Sequence, residues 1–94
     1  MLRPTTREGA LAAVMAEVNQ EKAASLGRAG SGVEKTLAEL RSARPEDRPH
    51  FLAAAREAVW GLFVQREAMG QLDHKAIIAH YEIPEDVLRG LGRR

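Results

Sequence analysis

The stretch LGRAGSGVEKTL, residues 26–37, decides the fold, because Gly27, Gly30 and Gly32 fall within six positions of it. Each glycine costs about 1 kcal/mol relative to alanine inside a helix, so a loop is one interpretation. The apolar residues before and after the glycines, however, keep the same phase on a helical wheel. A loop has no reason to preserve that phase. We therefore predict one long helix over about residues 5–43, with glycine used for close backbone approach.

The apolar face of this helix is defined by nine residues: Leu11, Val14, Met15, Val18, Leu26, Ala29, Val33, Leu37 and Leu40. All of them except Val14 fall within one arc of about 100°. Thr5 and Glu8 have the spacing of a capping box, which places the helix start there, after a loose tail over residues 1–4.

A second helix is predicted from about Arg48 to Met69, with Asp47 as its N-cap and Gly70 just past its end. Its apolar residues cover more than half of the wheel, which is typical of a central helix with neighbours on two sides. Trp60 is interpreted as a core or interface anchor.

Two short helices complete the chain. The third runs from His74 to Tyr81 with Asp73 as its cap, and the fourth begins at Pro84 and ends at Gly92. Strand patterns are absent from the sequence. We therefore predict an all-α fold of three to four helices in a single domain, residues 1–94, with the long N-terminal helix packed on the central helix and a helix-turn-helix-like hairpin at the C-terminus.

Composition excludes several function classes. The 94 residues include no cysteine, so disulfides, thiolate metal sites and cysteine nucleophiles are excluded. The formal net charge of +1 builds in no strong electrostatic field. No apolar run approaches the roughly 18 residues that a membrane span needs, and no signal peptide pattern is seen. We expect a cytoplasmic protein without a cofactor.

The predicted helix lengths do not match, and this mismatch indicates a partner. A helix of about 38 residues is about 57 Å long, whereas about 22 residues of the second helix cover about 33 Å of it. About 20 Å of apolar stripe would face water in a monomer, and such patches usually mark interaction surfaces. We predict a homodimer, with another protein as the alternative partner. The predicted interface residues are Leu11, Met15, Val18, Lys22, Leu26 and Val33. Lys22 would either fix the register or extend its ammonium group to solvent.

The glycine-rich string over residues 27–36 resembles a phosphate-binding loop with two residues inserted. Such a loop needs its lysine and hydroxyl residue directly after the last glycine, whereas Val33 and Glu34 intervene before Lys35 and Thr36. It also needs a parallel sheet, which this chain does not supply. We favour a glycine-rich helix over nucleotide binding.

Residues 76–88 have the spacing of a helix-turn-helix, which makes a small DNA-binding regulator the alternative function. Glu85 and Asp86 would then face the negative duplex, and Ile78 stands where a small residue is usual, so we expect nucleic-acid binding to be the weaker hypothesis. The candidate DNA contacts would be Lys75, Arg89, Arg93 and Arg94.

A third candidate site lies on the second helix, where Arg66 falls in the apolar arc with Glu67 beside it. These residues could form a buried polar pair, with Asp73 or His74 added in a catalytic site. The favoured interpretation is an ion pair with a structural role, or an arginine whose aliphatic stem packs while its guanidinium reaches solvent. His74 and His80 lack a third ligand, so no metal site is predicted, and no serine has the context of a nucleophile. We expect that the protein is not an enzyme.

Two stretches, EKAASLGRAG at residues 21–30 and AVWGLFVQRE at residues 58–67, are similar to a family of small all-helical bacterial proteins of unknown function. The resemblance continues through Gly70 and the Tyr81–Pro84 turn to Gly92. It implies an all-α fold and a bacterial, cytoplasmic setting, and it brings no activity and no catalytic residue. The sequence thus favours a small dimeric structural or protein-interaction module.

Overall fold

The computed structural model describes residues 7–91, which form four α-helices and no strand. The helices are α1 (Arg7–Ser42), α2 (Arg48–Ala68), α3 (Lys75–Tyr81) and α4 (Glu85–Arg89). The all-α prediction is confirmed, with a long N-terminal helix that packs on the second helix. The predicted tail over residues 1–4 and the cap at Thr5 lie outside the described residues. The fourth helix was expected to end at Gly92, but it ends at Arg89 with Gly90 at its C-cap, so that prediction is wrong.

Helix α1 runs without interruption through its three central glycines, which confirms the prediction from apolar phase. Gly30 is the glycine among them that close packing requires, since a Cβ atom there would lie 2.5 Å from the hydroxyl oxygen of Tyr81. Gly27 and Gly32 have no such neighbour within 4 Å. Close approach therefore explains one of the three glycines.

The core lies between α1 and α2, which run antiparallel after the turn over residues 43–47. At the far end of the pair, the Ser25 hydroxyl donates a hydrogen bond of 3.0 Å to Oε1 of Gln65. The buried apolar residues come from α1, α2 and the C-terminal hairpin: Val33, Leu37, Leu40, Ala55, Val59, Leu62, Phe63, Ile83 and Val87. Their burial supplies most of the driving force for folding.

The ends of α2 match the prediction in position but not fully in chemistry. Gly70 has φ +83°, and Gln71 and Gly70 donate backbone hydrogen bonds to the carbonyls of Arg66 and Glu67, which closes the helix as a glycine cap does. Asp47 occupies the N-cap position, but its side chain caps no backbone N–H. Its carboxylate instead accepts a hydrogen bond of 3.3 Å from Nε of Arg44.

Helix α3 begins one residue later than predicted, with His74 at the N-cap position, although the Asp73 carboxylate still accepts a 3.0 Å hydrogen bond from the backbone N–H of Lys75. It ends at Tyr81, and the C-cap residue Glu82 has a φ of 51°, a left-handed conformation that usually favours glycine. Pro84 then stands directly before α4 rather than inside it. The α3–α4 hairpin is held to the core by Ile83 and Val87, both buried.

The described chain is an elongated body, 64 × 24 × 21 Å, with a radius of gyration of 18.0 Å. A compact domain of this length would have a radius of gyration near 12 Å. The difference comes from α1, which has 36 residues against 21 in α2 and extends past the end of α2, near which Ser25 contacts Gln65. Residues 7–24, which we call the projecting segment, extend beyond the body formed by residues 25–91.

Candidate interaction surface

The projecting segment carries an apolar stripe with no part of the described chain packed over it. Leu11, Val14 and Met15 are 59%, 53% and 48% exposed, and Val18 is half-buried. In a monomer, large apolar side chains at successive turns of one helix would all contact water. The predicted exposed stripe on α1 is therefore present, and it lies in the N-terminal part of the helix.

An open groove lies where the projecting segment joins the body. It has a volume of about 660 Å³ and is lined by Val18, Glu21, Lys22, Ala24, Ser25 and Arg28. Val18, Lys22 and Ser25 are spaced as successive turns of one helix face, so the groove continues the stripe toward the body. Val18 and Ala24 make the groove partly apolar, and Glu21, Lys22 and Arg28 add charged side chains. The groove therefore resembles a surface for helix packing more than an enclosed pocket for a small molecule.

Four exposed charges bracket the stripe. Arg7 and Glu8 form the first described turn of α1, and Glu21 and Lys22 stand near the body. Among residues 7–91, none of these four side chains forms an ion pair. The order of charge is positive then negative at one end and negative then positive at the other.

Two of the predicted interface residues are placed elsewhere by the fold. Val33 is 0% exposed within the single chain, so its assignment to a dimer interface is wrong. Leu26 is partly buried against the same core, which leaves little of it for a partner. The physical reason is that α2 covers this half of the stripe. Leu11, Met15, Val18 and Lys22 remain on the projecting segment.

Part of the exposed apolar surface is not among the predicted interface residues. Val14 lies off the main apolar arc of the helical wheel, yet it is exposed together with Leu11 and Met15. Met69 at the end of α2 and Leu72 in the following loop are also exposed, the latter by 74%. Trp60 is 43% exposed and is not a core residue. For Leu72, the available signal was a large apolar residue in a polar loop between two helix ends.

Arg66 and Glu67 do not form the buried pair that was considered for them, because each contacts His74 instead. Arg66 donates from Nε to Nδ1 of His74 over 3.2 Å and from Nη2 to the Asp73 carbonyl over 3.1 Å. His74 Nε2 lies 2.9 Å from Oε2 of Glu67, and the imidazole stacks on Phe63 with ring centroids 4.1 Å apart. An imidazole protonated on Nε2 alone satisfies both contacts.

This cluster fixes the corner between α2 and α3. Both imidazole nitrogens of His74 are engaged, and its side chain is 12% exposed. Neither nitrogen has a lone pair or proton left for a substrate or a metal ion while these contacts hold. Arg66, Glu67 and His74 thus anchor the loop between α2 and α3.

The C-terminal hairpin places its predicted DNA-contact residues on the surface but ties the start of α4 to the body. Lys75 and Arg89 are exposed, and Arg93 and Arg94 lie outside the described residues. Nη2 of Arg48 lies 2.7 Å from Oδ2 of Asp86 in an ion pair. The hydrogen bond from Arg48 holds the pKa of Asp86 below its usual value. Helix α4 has five residues, which is short for a helix that would read a major groove.

The glycine-rich string over residues 27–36 lies within continuous helix and forms no loop around an anion. Lys35 is exposed. The Thr36 hydroxyl donates within the helix, over 2.9 Å to the Gly32 carbonyl and 3.1 Å to that of Val33. Backbone N–H groups inside a helix are already paired, so the cradle of a phosphate-binding loop is not formed here.

Among residues 7–91, no group of three or more histidine, aspartate or glutamate side chains is arranged to hold a metal ion. Within the same range, none of the helices combines the length and the apolar character required to cross a membrane.

The fold and the surface together define a class: a small all-α protein in which one helix extends from a packed body with its apolar side uncovered. A family model describes the whole chain, residues 1–94, under the description "Family of unknown function (DUF6665)". The chain belongs to this family. Comparison with curated proteins and with solved structures gave no match.

Proposed function

We propose that the protein is a small homodimeric interaction module whose dimer interface is the stripe of the projecting segment. The observation that supports the proposal is the contrast within one helix. The stripe is sealed under α2 at Val33 and Leu37, and it continues in the same phase to Leu11 and Met15, which are open to water. Covering apolar surface of this kind favours association.

A second copy of this chain is the partner that fits best. Two identical stripes can cover each other about a two-fold axis, and this arrangement leaves neither of them in contact with water. The projecting segment of 18 residues is about 27 Å long, which gives more than two heptads of contact. We propose a cytoplasmic setting in a bacterium for this module. A different protein as partner is the alternative that the experiment below separates.

The proposal assigns no catalysed reaction and no DNA contact. His74 is fully engaged beside Arg66 and Glu67, which argues against a catalytic role for that cluster. The acidic start of α4, with Asp86 paired to Arg48, argues against its insertion into a DNA groove.

Analytical ultracentrifugation at about 100 μM tests the proposal. We expect a species of twice the chain mass of 10.3 kDa. The variant Met15→Glu places a charge in the stripe and should sediment as a monomer with unchanged helical content per chain in the body. The matched control Ala13→Glu adds the same charge at an exposed position on the opposite side of the helix, and it should remain a dimer.

A wild-type protein that sediments at the mass of one chain at this concentration would overturn the homodimer. Loss of the dimer in both variants would show that added charge, rather than the stripe, controls association.

A further inference from the structure

We infer that His74 is a pH-sensitive anchor for the loop between α2 and α3, residues 69–74. The neutral imidazole accepts a hydrogen bond from Arg66 and so holds the loop, and protonation of the imidazole ends that contact and releases the loop. The anchor lies in the body of the protein and is independent of the proposed homodimer. Its sensitivity to pH follows from the atoms that meet at the ring.

The contacts of His74 require a neutral ring that carries its proton on Nε2. Nε of Arg66 donates to Nδ1 over 3.2 Å, so Nδ1 must keep its lone pair. Nε2 lies 2.9 Å from Oε2 of Glu67, and a carboxylate only accepts, so the proton is on Nε2. The same guanidinium donates from Nη2 to the Asp73 carbonyl over 3.1 Å, which ties the loop to the last turn of α2.

A second proton on the ring goes to Nδ1, where it faces the N–H of Arg66. Two donors cannot form a hydrogen bond with each other, and the ring and the guanidinium then both carry positive charge. The ring stays in place, because its contact with the Glu67 carboxylate becomes a charged pair and its stacking on Phe63 gains a cation–π attraction. Arg66 is therefore the group that moves, and its bond to the Asp73 carbonyl is lost with it.

The charged groups around the ring come from α2, the loop and α3. Arg66 and Glu67 contact its two nitrogens, and the Asp73 carboxylate accepts a hydrogen bond of 3.0 Å from the backbone N–H of Lys75, whose side chain is exposed. Since α2 engages both nitrogens, no charged side chain of α1 or α4 in the described chain bonds to the ring. Carboxylates ordinarily titrate near about pH 4, whereas an imidazole gains its charge between about pH 5 and 8. Proton uptake by the ring is thus the event that changes this cluster near neutral pH.

Release of the loop would change how an apolar side chain is presented at this end of the body. The loop carries Leu72, which is 74% exposed. Two backbone N–H groups report on the state of the loop. At its start, Gln71 donates to the Arg66 carbonyl over 2.9 Å, and just past its end, Lys75 donates to the Asp73 carboxylate.

Amide hydrogen exchange of the full chain at about pH 8 and about pH 5.5, corrected for the intrinsic pH dependence of exchange, tests the anchor. We expect the protection of the Gln71 and Lys75 amides to fall several-fold at the lower pH, while amides of α2 near Val59 keep theirs. His74→Gln removes the group that takes up the proton and should abolish the difference. The matched control His80→Gln removes the exposed histidine of α3 and should preserve it.

Arg66→Met removes the donor but keeps an apolar stem, so protection of the loop should be low at both pH values. Nitrogen NMR of His74 in the wild type gives a readout that needs no variant. At about pH 8 we expect a proton on Nε2 alone, and at about pH 5.5 a proton on both nitrogens.

A ring that carries its proton on Nδ1 at the higher pH, or that stays neutral at the lower pH, would overturn the anchor. A doubly protonated ring with unchanged loop protection would overturn it as well. Loss of the pH dependence in His80→Gln would assign the effect to the other histidine of the hairpin and contradict the role of His74.

Discussion

Two residues show how single positions are set by contacts far away in the sequence. Gly30 is buried against the Tyr81 hydroxyl, which arrives from α3. Glu82 takes a left-handed backbone conformation at the end of α3, and its carbonyl accepts a 3.1 Å hydrogen bond from Arg41 of α1. Both features lie where the short hairpin meets the long helix, so local backbone preference yields there to packing.

Gly30→Ala should lower the free energy of unfolding by about 1 kcal/mol or more, because the new Cβ atom overlaps the Tyr81 hydroxyl. Gly27→Ala and Gly32→Ala, which have open space, should each raise it by about 0.5–1 kcal/mol through helix propensity. Urea unfolding measures all three. Combining Gly30→Ala with Tyr81→Phe should recover most of the loss, since the next Tyr81 atom, Cζ, lies 3.6 Å away. Equal stabilisation by all three alanines would contradict the close approach.

At the scale of elements, the C-terminal hairpin depends on α2. Helices of seven and five residues are too short to be stable alone, so their tertiary contacts maintain them. Arg48 pairs with the Asp86 carboxylate, and Arg56 donates to the Asp86 carbonyl over 2.7 Å from Nη2 and 3.2 Å from Nε. The guanidinium of Arg56 crosses Gly90 so closely that a side chain there would overlap it. Two arginines of α2, two turns apart, thus position α4.

The Arg48–Asp86 ion pair predicts a pH dependence of stability. Arg48 lowers the pKa of Asp86 in the folded state. The contribution of the ion pair to the free energy of unfolding is therefore fully present above the ordinary carboxyl pKa of about 4. It is lost as the pH falls through the lowered pKa of Asp86 in the folded state. Asp86→Asn should reduce the free energy of unfolding by less than about 1 kcal/mol near pH 7, since the pair is partly exposed.

The difference between Asp86→Asn and wild type should shrink toward about pH 2, as measured by urea unfolding at both pH values. Glu85→Gln, at the exposed neighbouring position, is the control and should show a smaller change. A constant difference at both pH values would show that the effect does not come from the ion pair.

At the scale of the whole molecule, one part folds around a core and another does not. The body has nine buried apolar residues, whereas the projecting segment has none among residues 7–24. A helix of 18 residues without tertiary contacts is marginally stable in water. The stability of the projecting segment should therefore depend on association, while that of the body should not.

Hydrogen exchange at two protein concentrations tests this division. We expect the amides of residues 11–24 to exchange several-fold more slowly at about 100 μM than at about 1 μM, because dimers protect them. Amides of α2 near Val59 should show no concentration dependence. Equal protection of the projecting segment at both concentrations in a sedimenting dimer would place the interface elsewhere.

Much of the fold could be predicted because its signals are local. The phase of Leu11 through Leu40 indicated one continuous helix despite three glycines, since helical periodicity is a property of neighbouring residues. Gly70 ends α2 as predicted, because the left-handed backbone conformation that ends a helix favours glycine whatever the tertiary contacts are. The mismatch between helix lengths also followed from local boundaries, and it predicted that part of the stripe would be exposed.

The sequence by itself determined the helices and the unequal lengths of α1 and α2, because periodicity and capping act over a few residues. The tertiary structure alone decided which half of the stripe is covered: it buried Val33 and left Leu11 exposed. It also joined Arg66 to His74 and Gly30 to Tyr81. Such contacts depend on where the end of one helix falls against another, and no single stretch of sequence specifies that position.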